Sequence, residues 1–564
     1  MKKILALLLA LAMVFALVAC SNNNAETPDP DTSASDVKEE LKEQDIQQDM
    51  QEGPKQEETY IKDEMVLAVK SSATLVPWGT KNSGPGNYEV YEMLYECDAK
   101  GEMYPILADA TYEGTYMPGC DHEKGTGIYI VKIYDYIKDH SGKAVTASDV
   151  AYSFLHQLNN ESTSGWKDNL LNVEAVDATT IKFTFAEDQT NVGQLLNVFC
   201  RCFIVNEESH KASASQLATD MCGTGPYKFV EYVSGSQLTL EKNEDYWQTN
   251  ADLRRQEQQA NVKKIVYKFI DESSQTVIGL KTGDIDFAAG MSVKDCAPFM
   301  DGGEYADQFN VYSYPAKFVN NLVANCNEAS IMSDINMRLA VFNAIDQDAL
   351  ITALGGVDTR IYSYASGYYT DYDWVDYEGM DNYNTRTGVD SAVVKSYLDK
   401  AGYKGETLTI LAGNMVGDAA AVVEGMLRQQ GIEVNLQVLD PQSANNVRND
   451  PTAWDIEFAT MAGDFNVTVW QHGFSYGNVP TKDRTMYFQV DQEWEDLLNL
   501  CLTEEGHTPE NMKAWWEHCV ENAYAMGVYT GSSQDILPED MTYYVQGDKL
   551  TALTGASTYA APEA

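Results

Sequence analysis

Gly473, Phe474, Ser475, Tyr476 and Gly477 have the spacing of the G-x-S-x-G elbow that presents a nucleophilic serine, and His507 and His518 lie downstream with acids between. Such a serine attacks a carbonyl only when a strand leads into the elbow and a helix leads out, because that turn holds the hydroxyl against its base. After Gly477 the chain continues NVPTKDRTMYF, where Pro480 and a polar cluster signal a loop. A surface serine hydrolase using Ser475 is therefore the weaker reading. Metal chemistry fares no better: the seven histidines are scattered, and no H-E-x-x-H or paired C-x-x-C occurs. The close nitrogen and sulfur pairs are Cys120 with His122, in a glycine-bearing loop, and His518 with Cys519, on an amphipathic helix beside Trp515 and Trp516. Composition accounts for both. The acidic run DYDWVDYEGMDNYN from Asp371 places Val375 where a calcium loop needs Asp or Asn, so it reads as a solvated aromatic loop. No catalytic residue, metal site or cofactor is expected.

Charge narrows the partners further. The 564 residues carry 85 Asp and Glu against 39 Lys and Arg, a formal net charge of -46, which repels nucleic acid and anionic headgroups over most of the surface. No nucleic-acid partner is expected. The length allows roughly three to four domains of ordinary size. The 34 tyrosines and nine tryptophans offer broad apolar faces with a polar tip, suited to a roomy ligand cleft as well as to cores.

Lys2 and Lys3 precede an apolar run from Ile4 to Ala19, shorter than the roughly 18 to 20 residues that span a bilayer, which reads as an export signal. It ends in Leu17, Val18, Ala19 and Cys20, which resembles the lipobox of bacterial lipoproteins. That resemblance implies cleavage before Cys20 and diacylglycerol on its thiol, with about 0.8 kcal/mol of anchoring per buried methylene. The protein would then sit on the outer face of the bacterial cytoplasmic membrane. Residues 21–60 are polar, acidic and nearly free of large apolar groups, and so form a tether, within which Asp36 to Met50 could make only a marginal helix. Setting Cys20 aside from the ten cysteines leaves nine, an odd number that describes no disulfide framework. Cys200 and Cys202 read as small buried hydrophobes.

The elements that would position a site are legible as local patterns. In CGTGPYKFVEYVSGSQLTLEKNEDYW, residues 222–247, Gly223 and Gly225 stand where a side chain would obstruct the backbone. Tyr227 to Val233 and Gln237 to Glu241 then read as strands joined by a turn at Ser234 and Gly235. In KAVTASDVAYSFLHQL, Thr146 is the expected N-cap of a helix, with Asp149 in the capping-box position. VIGLKTGDIDFA reads as helix then strand, and MRLAVFNAIDQDALI as a helix. YLDKAGYKGETLTIL and LRQQGIEVNLQVLD read as two successive helix-to-strand units, which suggests a lobe with its own mixed sheet.

Taken in order from about Met65 to about Tyr529, these segments and the passage MLYECDAKGEMYPILADA resemble the family 5 extracellular solute-binding proteins of ABC importers, a group that includes oligopeptide-, dipeptide- and nickel-binding proteins. The resemblance implies an α/β, two-lobed periplasmic-binding-protein-like fold of class II type, with mixed sheets, hinge strands and an inserted third subdomain. It divides the chain into a lipoprotein signal peptide (1–20), a disordered acidic tether (21–60), a first lobe (61–105, 221–310 and 528–564), an inserted subdomain (106–220) and a second lobe (311–527). By the same resemblance WDIEFATMAGDFNVTVW, residues 454–470, leads into the cleft, and Asp464 matches the acid that holds a peptide's α-ammonium. Met461 stands where an aromatic is usual, and Asn466 with Val467 replaces the common acid and proline. Tyr95 and Glu96, beside a cleft-lining strand, and Tyr529, at the second crossover, are further implied ligand positions. The implied function is a monomeric, membrane-anchored receptor that captures an oligopeptide or peptide-like solute and delivers it to an ABC permease powered by ATPase subunits. Other solutes of the same fold, a metal chelate, haem or an oligosaccharide, stay as alternatives; few histidines weigh against metal or haem, and many aromatics leave room for sugar.

Overall fold

Runs of β-branched and aromatic residues pair into one long mixed sheet. Its order from one edge is Val434–Leu439, Leu408–Gly413, Ile456–Ala462, Phe309–Ala324, Ala525–Pro538, Phe287–Met291, Glu64–Val69, Lys264–Phe269, Gln237–Lys242 and Tyr227–Val233. The short strand Thr359–Arg360 lies on Ala525–Pro538 as well. The computed structural model describes residues 59–462 apart from breaks of at most ten residues, 491–542 apart from residue 540, and 558–560. All lie within the unit Thr59–Ala564. Cys20 and the tether before residue 59 lie outside the described residues. Among the described residues no helix is long and apolar enough to cross a membrane.

Parallel pairing occurs towards each end of the sheet. Leu408–Gly413 runs parallel to both Val434–Leu439 and Ile456–Ala462, and Glu64–Val69 parallel to both Lys264–Phe269 and Phe287–Met291. Such pairs need a crossover, supplied at one end by the helix Gly417–Gln429 between Leu408–Gly413 and Val434–Leu439. The ends are joined by two long antiparallel strands, Phe309–Ala324 and Ala525–Pro538, of 16 and 14 residues. At about 3.3 Å per residue each is long enough to serve two lobes. The successive helix-to-strand units therefore do not close a sheet of their own: the crossing strands stitch their ladder to the rest.

A second, four-stranded antiparallel sheet stands apart, in the order Cys120–His122, Ile128–Lys132, Thr180–Phe185 and Leu170–Ala175. The helix Ala147–Leu158 covers it, burying Val150 and Phe154, with Phe154 edge-on to Phe183 at 4.9 Å. Full burial of each such side chain contributes about 1.5 to 3 kcal/mol. The core so formed draws in Leu94, Tyr95 and Tyr104 from before the small sheet, and Tyr246 and Trp247 from after it. The Thr146 amide donates to Asp149 Oδ2 at 2.8 Å, which closes the helix start as its capping residues predict. The other Asp149 oxygen accepts the Glu207 amide at 2.8 Å and so ties the helix start to a distant segment.

The two glycines of the G-T-G-P-Y turn are fixed by backbone proximity. A Cβ on Gly223 would lie 2.1 Å from the Val90 carbonyl oxygen, and one on Gly225 would lie 2.3 Å from that of Glu89. The Gly225 amide donates to the Val90 carbonyl at 2.9 Å, a bond the approach makes possible. Beyond it the expected hairpin forms, turning at Gly235 with φ +69°.

Two local expectations need correction. MRLAVFNAIDQDALI breaks into two helices, Ile335–Phe342 and Gln347–Ala353, because Asp346 accepts the Ala349 amide at 2.9 Å and caps the second instead of continuing the first. The run from Asp371 is not simply solvated. Asp371 is buried against His507 Nε2 at 3.2 Å, and Val375 and Tyr377 enter the core of the second end, although Asp373 and Trp374 are exposed. The nine cysteines from Cys97 to Cys519 are all thiols, and Cys200 and Cys202 are buried in the core of the small sheet.

Candidate ligand site at the crossing strands

The ladder brings two expected positions into register. Asn320 on the first crossing strand faces Tyr529 on the second and Thr460 on the third strand, and Val319 faces both Thr530 and Met461. The pairing slips between Asn320 and Asn321 and again between Pro315 and Val319. Such bulges bend a strand and re-aim its side chains where two lobes meet. The Thr460 hydroxyl donates to Asn320 Oδ1 at 2.8 Å, fixing the amide between the strands. Ile456–Ala462 ends two residues before Asp464, so this strand delivers the chain to the expected anchor. Asp464 itself, like Asn466, Val467 and Ser475, lies outside the described residues.

Tyr529 is 7% exposed and packs edge-on to Phe458, with ring centroids 6.3 Å apart. Burial pushes its hydroxyl well above the ordinary tyrosine range, and the charges of Asp358 and Asp418 push it further. Asp358 immediately precedes the short strand that pairs Thr359 with Thr530 and Arg360 with Tyr529. Its carboxylate accepts the Ser532 amide at 3.0 Å. Burial raises the Asp358 pKa, and that single backbone bond lowers it only in part. Arg360, two residues on, does not neutralise it, because its guanidinium pairs with Asp348 and reaches the Tyr362 hydroxyl at 3.3 Å. Asp418 lies in the first turn of Gly417–Gln429, where the helix dipole favours an acid. Gln347 binds this region together, its Nε2 donating to the Gly527 carbonyl at 2.9 Å and that of Ile361 at 3.2 Å.

A carboxylate with that surrounding differs from one built into scaffold. Glu92 is also buried, but it accepts Trp247 Nε1 at 2.7 Å, Gln258 Nε2 at 2.8 Å and the Tyr246 hydroxyl, which satisfy both oxygens from within the fold. Asp358 keeps acceptor capacity that a ligand donor could use.

Tyr95 and Glu96 lie elsewhere. Tyr95 is fully buried in the core of the small sheet, donating to the Pro118 carbonyl at 2.9 Å and packing on Phe199 at 5.7 Å. Glu96 is buried beside the Tyr104 hydroxyl at 3.4 Å. Tyr529 belongs to a different core, and no contact joins it to either residue among the described ones. Sequence reasoning missed Asp358 and Asp418. For Asp418 the first-turn position was a usable signal; for Asp358 none existed, since its partner Ser532 is 174 residues away. Among the described residues no cluster of three or more His, Cys, Asp or Glu could hold a metal ion.

A sheet crossed by two long strands, with a ligand position at their bulged centre, defines a two-lobed binding fold of the kind that encloses a solute between its lobes. Residues 102–493 match the bacterial extracellular solute-binding proteins, family 5, and the chain belongs to that family. The oligopeptide-binding protein AppA of Bacillus subtilis is 26% identical over 490 residues, covering 81% of this chain and 83% of AppA. Relatives from Brucella are 23% identical over 324 residues, and the chain spans 57% of their length. Among solved structures, AppA from Clostridium difficile superposes with a TM-score of 0.72 at 19% identity, covering 88% of this chain and all of that one. Bacillus subtilis AppA in complex with a nonapeptide gives 0.66 at 18% identity, with 89% of this chain and all of that one covered. NikA from Staphylococcus aureus, in complex with Ni(L-His)2, gives 0.64 at 14%, covering 88% and 100%.

Proposed function

We propose that this chain is a lipid-anchored receptor on the outer face of the bacterial cytoplasmic membrane that binds oligopeptides or peptide-like solutes between its lobes and passes them to an ABC permease and its ATPases. It acts as a monomer, without a cofactor, and catalyses nothing; a fluorophosphonate probe should leave Ser475 unlabelled, and stoichiometric labelling would overturn that statement. The anchor rests on the lipobox resemblance at Cys20. The domain limits are those the resemblance implies, with the inserted subdomain at 106–220 and the second lobe at 311–527.

The observation that best supports a cationic, peptide-like ligand is Asp358. It is a half-buried carboxylate held by one backbone amide, close enough to Tyr529 to act on its hydroxyl, on a sheet whose neighbouring strand leads to Asp464. An ammonium in a closing, drying cleft gains far more from such carboxylates than it would in water. Asp464 is proposed as the anchor of the α-ammonium, with Met461 and Tyr529 beside it. The named ligands of relatives, a nonapeptide for one and a nickel–histidine complex for another, keep a second solute class in view.

A double-mutant cycle tests the reading. Peptide eluted from gently purified protein is sequenced by mass spectrometry, resynthesised with a free or acetylated N-terminus, and titrated calorimetrically into the wild type and Asp464→Asn. Each change alone should weaken binding at least about tenfold, because stranding a buried charge typically costs about 2 to 5 kcal/mol. Together they should cost little more than either alone. Additive losses would show that Asp464 does not meet the ammonium, and recovery of a non-peptide solute would move the protein to the second class.

A further inference from the structure

The small antiparallel sheet and the helical end of the other core meet at one polar contact. His122 closes the strand Cys120–His122, and its neighbours Cys120 and Tyr129 belong to the core of the small sheet. Glu504 follows the helix Gln492–Leu502, whose Trp494, Leu498 and Cys501 belong to the core that contains Phe458 and Tyr529. The two cores share no member. Across 382 residues of sequence, His122 Nε2 lies 3.1 Å from Glu504 Oε2, and the same oxygen accepts the Gly125 amide at 3.4 Å. Beside them Lys124 and Glu505 make an exposed pair at 3.8 Å, which contributes little because water screens it.

The proton inventory of this contact is unusual. His122 Nδ1 faces the Ile128 carbonyl at 2.8 Å while Nε2 faces the Glu504 carboxylate, so both ring nitrogens point at acceptors. A neutral imidazole carries one N–H and satisfies one of them, whichever tautomer it adopts; an imidazolium satisfies both. The ring cannot turn away, because it is stacked flat on Tyr129 at 3.9 Å with 6° between planes and capped edge-on by Tyr116 at 5.5 Å. Its side chain is 2% exposed, so water cannot replace the missing donor. The other charged and titratable groups around it are committed or remote in effect. Asp121 is held by the Tyr112 hydroxyl and, at 2.8 Å, by the Thr115 amide, and Glu123 is exposed. Tyr116 is kept neutral, its hydroxyl pushed up to about 12 by burial and then by the charge of Glu504.

We propose that His122 and Glu504 form a proton-dependent latch that holds the small sheet against the opposite end of the molecule when the receptor is closed. The inference rests on the receptor reading only for the existence of an open form. Protonation of His122 completes the contact; loss of that proton sets a lone pair against a carboxylate and favours opening. Closure therefore weakens as pH rises through the ordinary histidine range, about 6 to 7.

Small-angle X-ray scattering of the full, ligand-stripped protein at about pH 5.5 and about pH 8 tests this without any ligand. The wild type should be compact at the lower pH and show a larger radius of gyration at the higher. Glu504→Gln, whose amide can donate to a neutral imidazole, should lose that shift, and Lys124→Ala should retain it. No shift in the wild type, or the same shift in Glu504→Gln, would overturn the latch. Nitrogen-15 spectra of histidine in the native chain give a reading that does not depend on any variant folding: a buried His122 carrying a single ring proton at about pH 5.5 would also overturn it. Failure of the latch leaves the peptide cycle at Asp464 untouched, and failure of that cycle leaves the scattering result standing.

Discussion

Gly223 and Val90 meet backbone to backbone, with the space for a Cβ on Gly223 ending 2.1 Å from the Val90 carbonyl oxygen. Gly223→Ala must displace one of two main chains and should destabilise the fold by about 1 to 3 kcal/mol or more, read as a lower urea midpoint. Gly425 provides the opposite case. It is exposed within the helix Gly417–Gln429 and nothing lies within 4 Å of its added Cβ. Gly425→Ala should stabilise by about 0.5 to 1 kcal/mol, and a lower midpoint there would refute the open-space argument.

Glu89 supplies a pH dependence. It is 3% exposed, and burial pushes its pKa from 4.5 up to about 7, against a hydrogen bond from Tyr267 that lowers it. A carboxyl whose folded pKa is raised stabilises the fold fully below its unfolded value, and that stability is lost as pH climbs through the folded value. The window here runs from about 4.5 to about 7. Glu89→Gln should therefore raise stability at pH 8 relative to pH 4.5 by about 3 kcal/mol more than in the wild type, at about 1.4 kcal/mol per pKa unit. Parallel stability curves for the two proteins across that range would contradict the burial argument.

Arg448 and Glu457 hold the strand that leads towards Asp464. Arg448 Nε lies 2.9 Å from Glu457 Oε2, and the Glu457 side chain is 7% exposed. Arg448→Met leaves that carboxylate buried without its cation and should cost about 3 to 5 kcal/mol, whereas changing Glu457 to Leu in the same chain should recover most of the loss. Chemical denaturation of both variants decides it, and an equal loss in the double variant would mean that packing rather than charge is at stake.

Anchoring depends on one thiol. Cys20→Ala removes the only acceptor that the lipobox resemblance provides, so metabolic labelling with a radioactive fatty acid should vanish and the protein should be unprocessed or mislocalised. Undiminished label in the variant would exclude Cys20 as the lipid site.

What the sequence determined by itself was local. The hairpin after Pro226, the Thr146 and Asp149 cap, and the helix-to-strand units ending at Gly413 and Leu439 depend on residues a few positions apart, and their order along the chain was enough to point to the family. Even at this range Asp346 was misjudged, because a side chain that caps a second helix looks, in a pattern of apolar spacing, like one more residue of the first. The burial of Asp371 was hidden as well, since its partner His507 is 136 residues distant and composition alone reads the run as polar. The tertiary structure decided that two crossing strands join the ladders of both ends, and set Val319 and Asn320 opposite Met461 and Tyr529. It also placed Asp358 on the Ser532 amide and His122 on Glu504. Those pairings arise from the register of long strands and the packing of separate cores, each a sum of many weak contacts between distant segments, and no short stretch of sequence carries that sum.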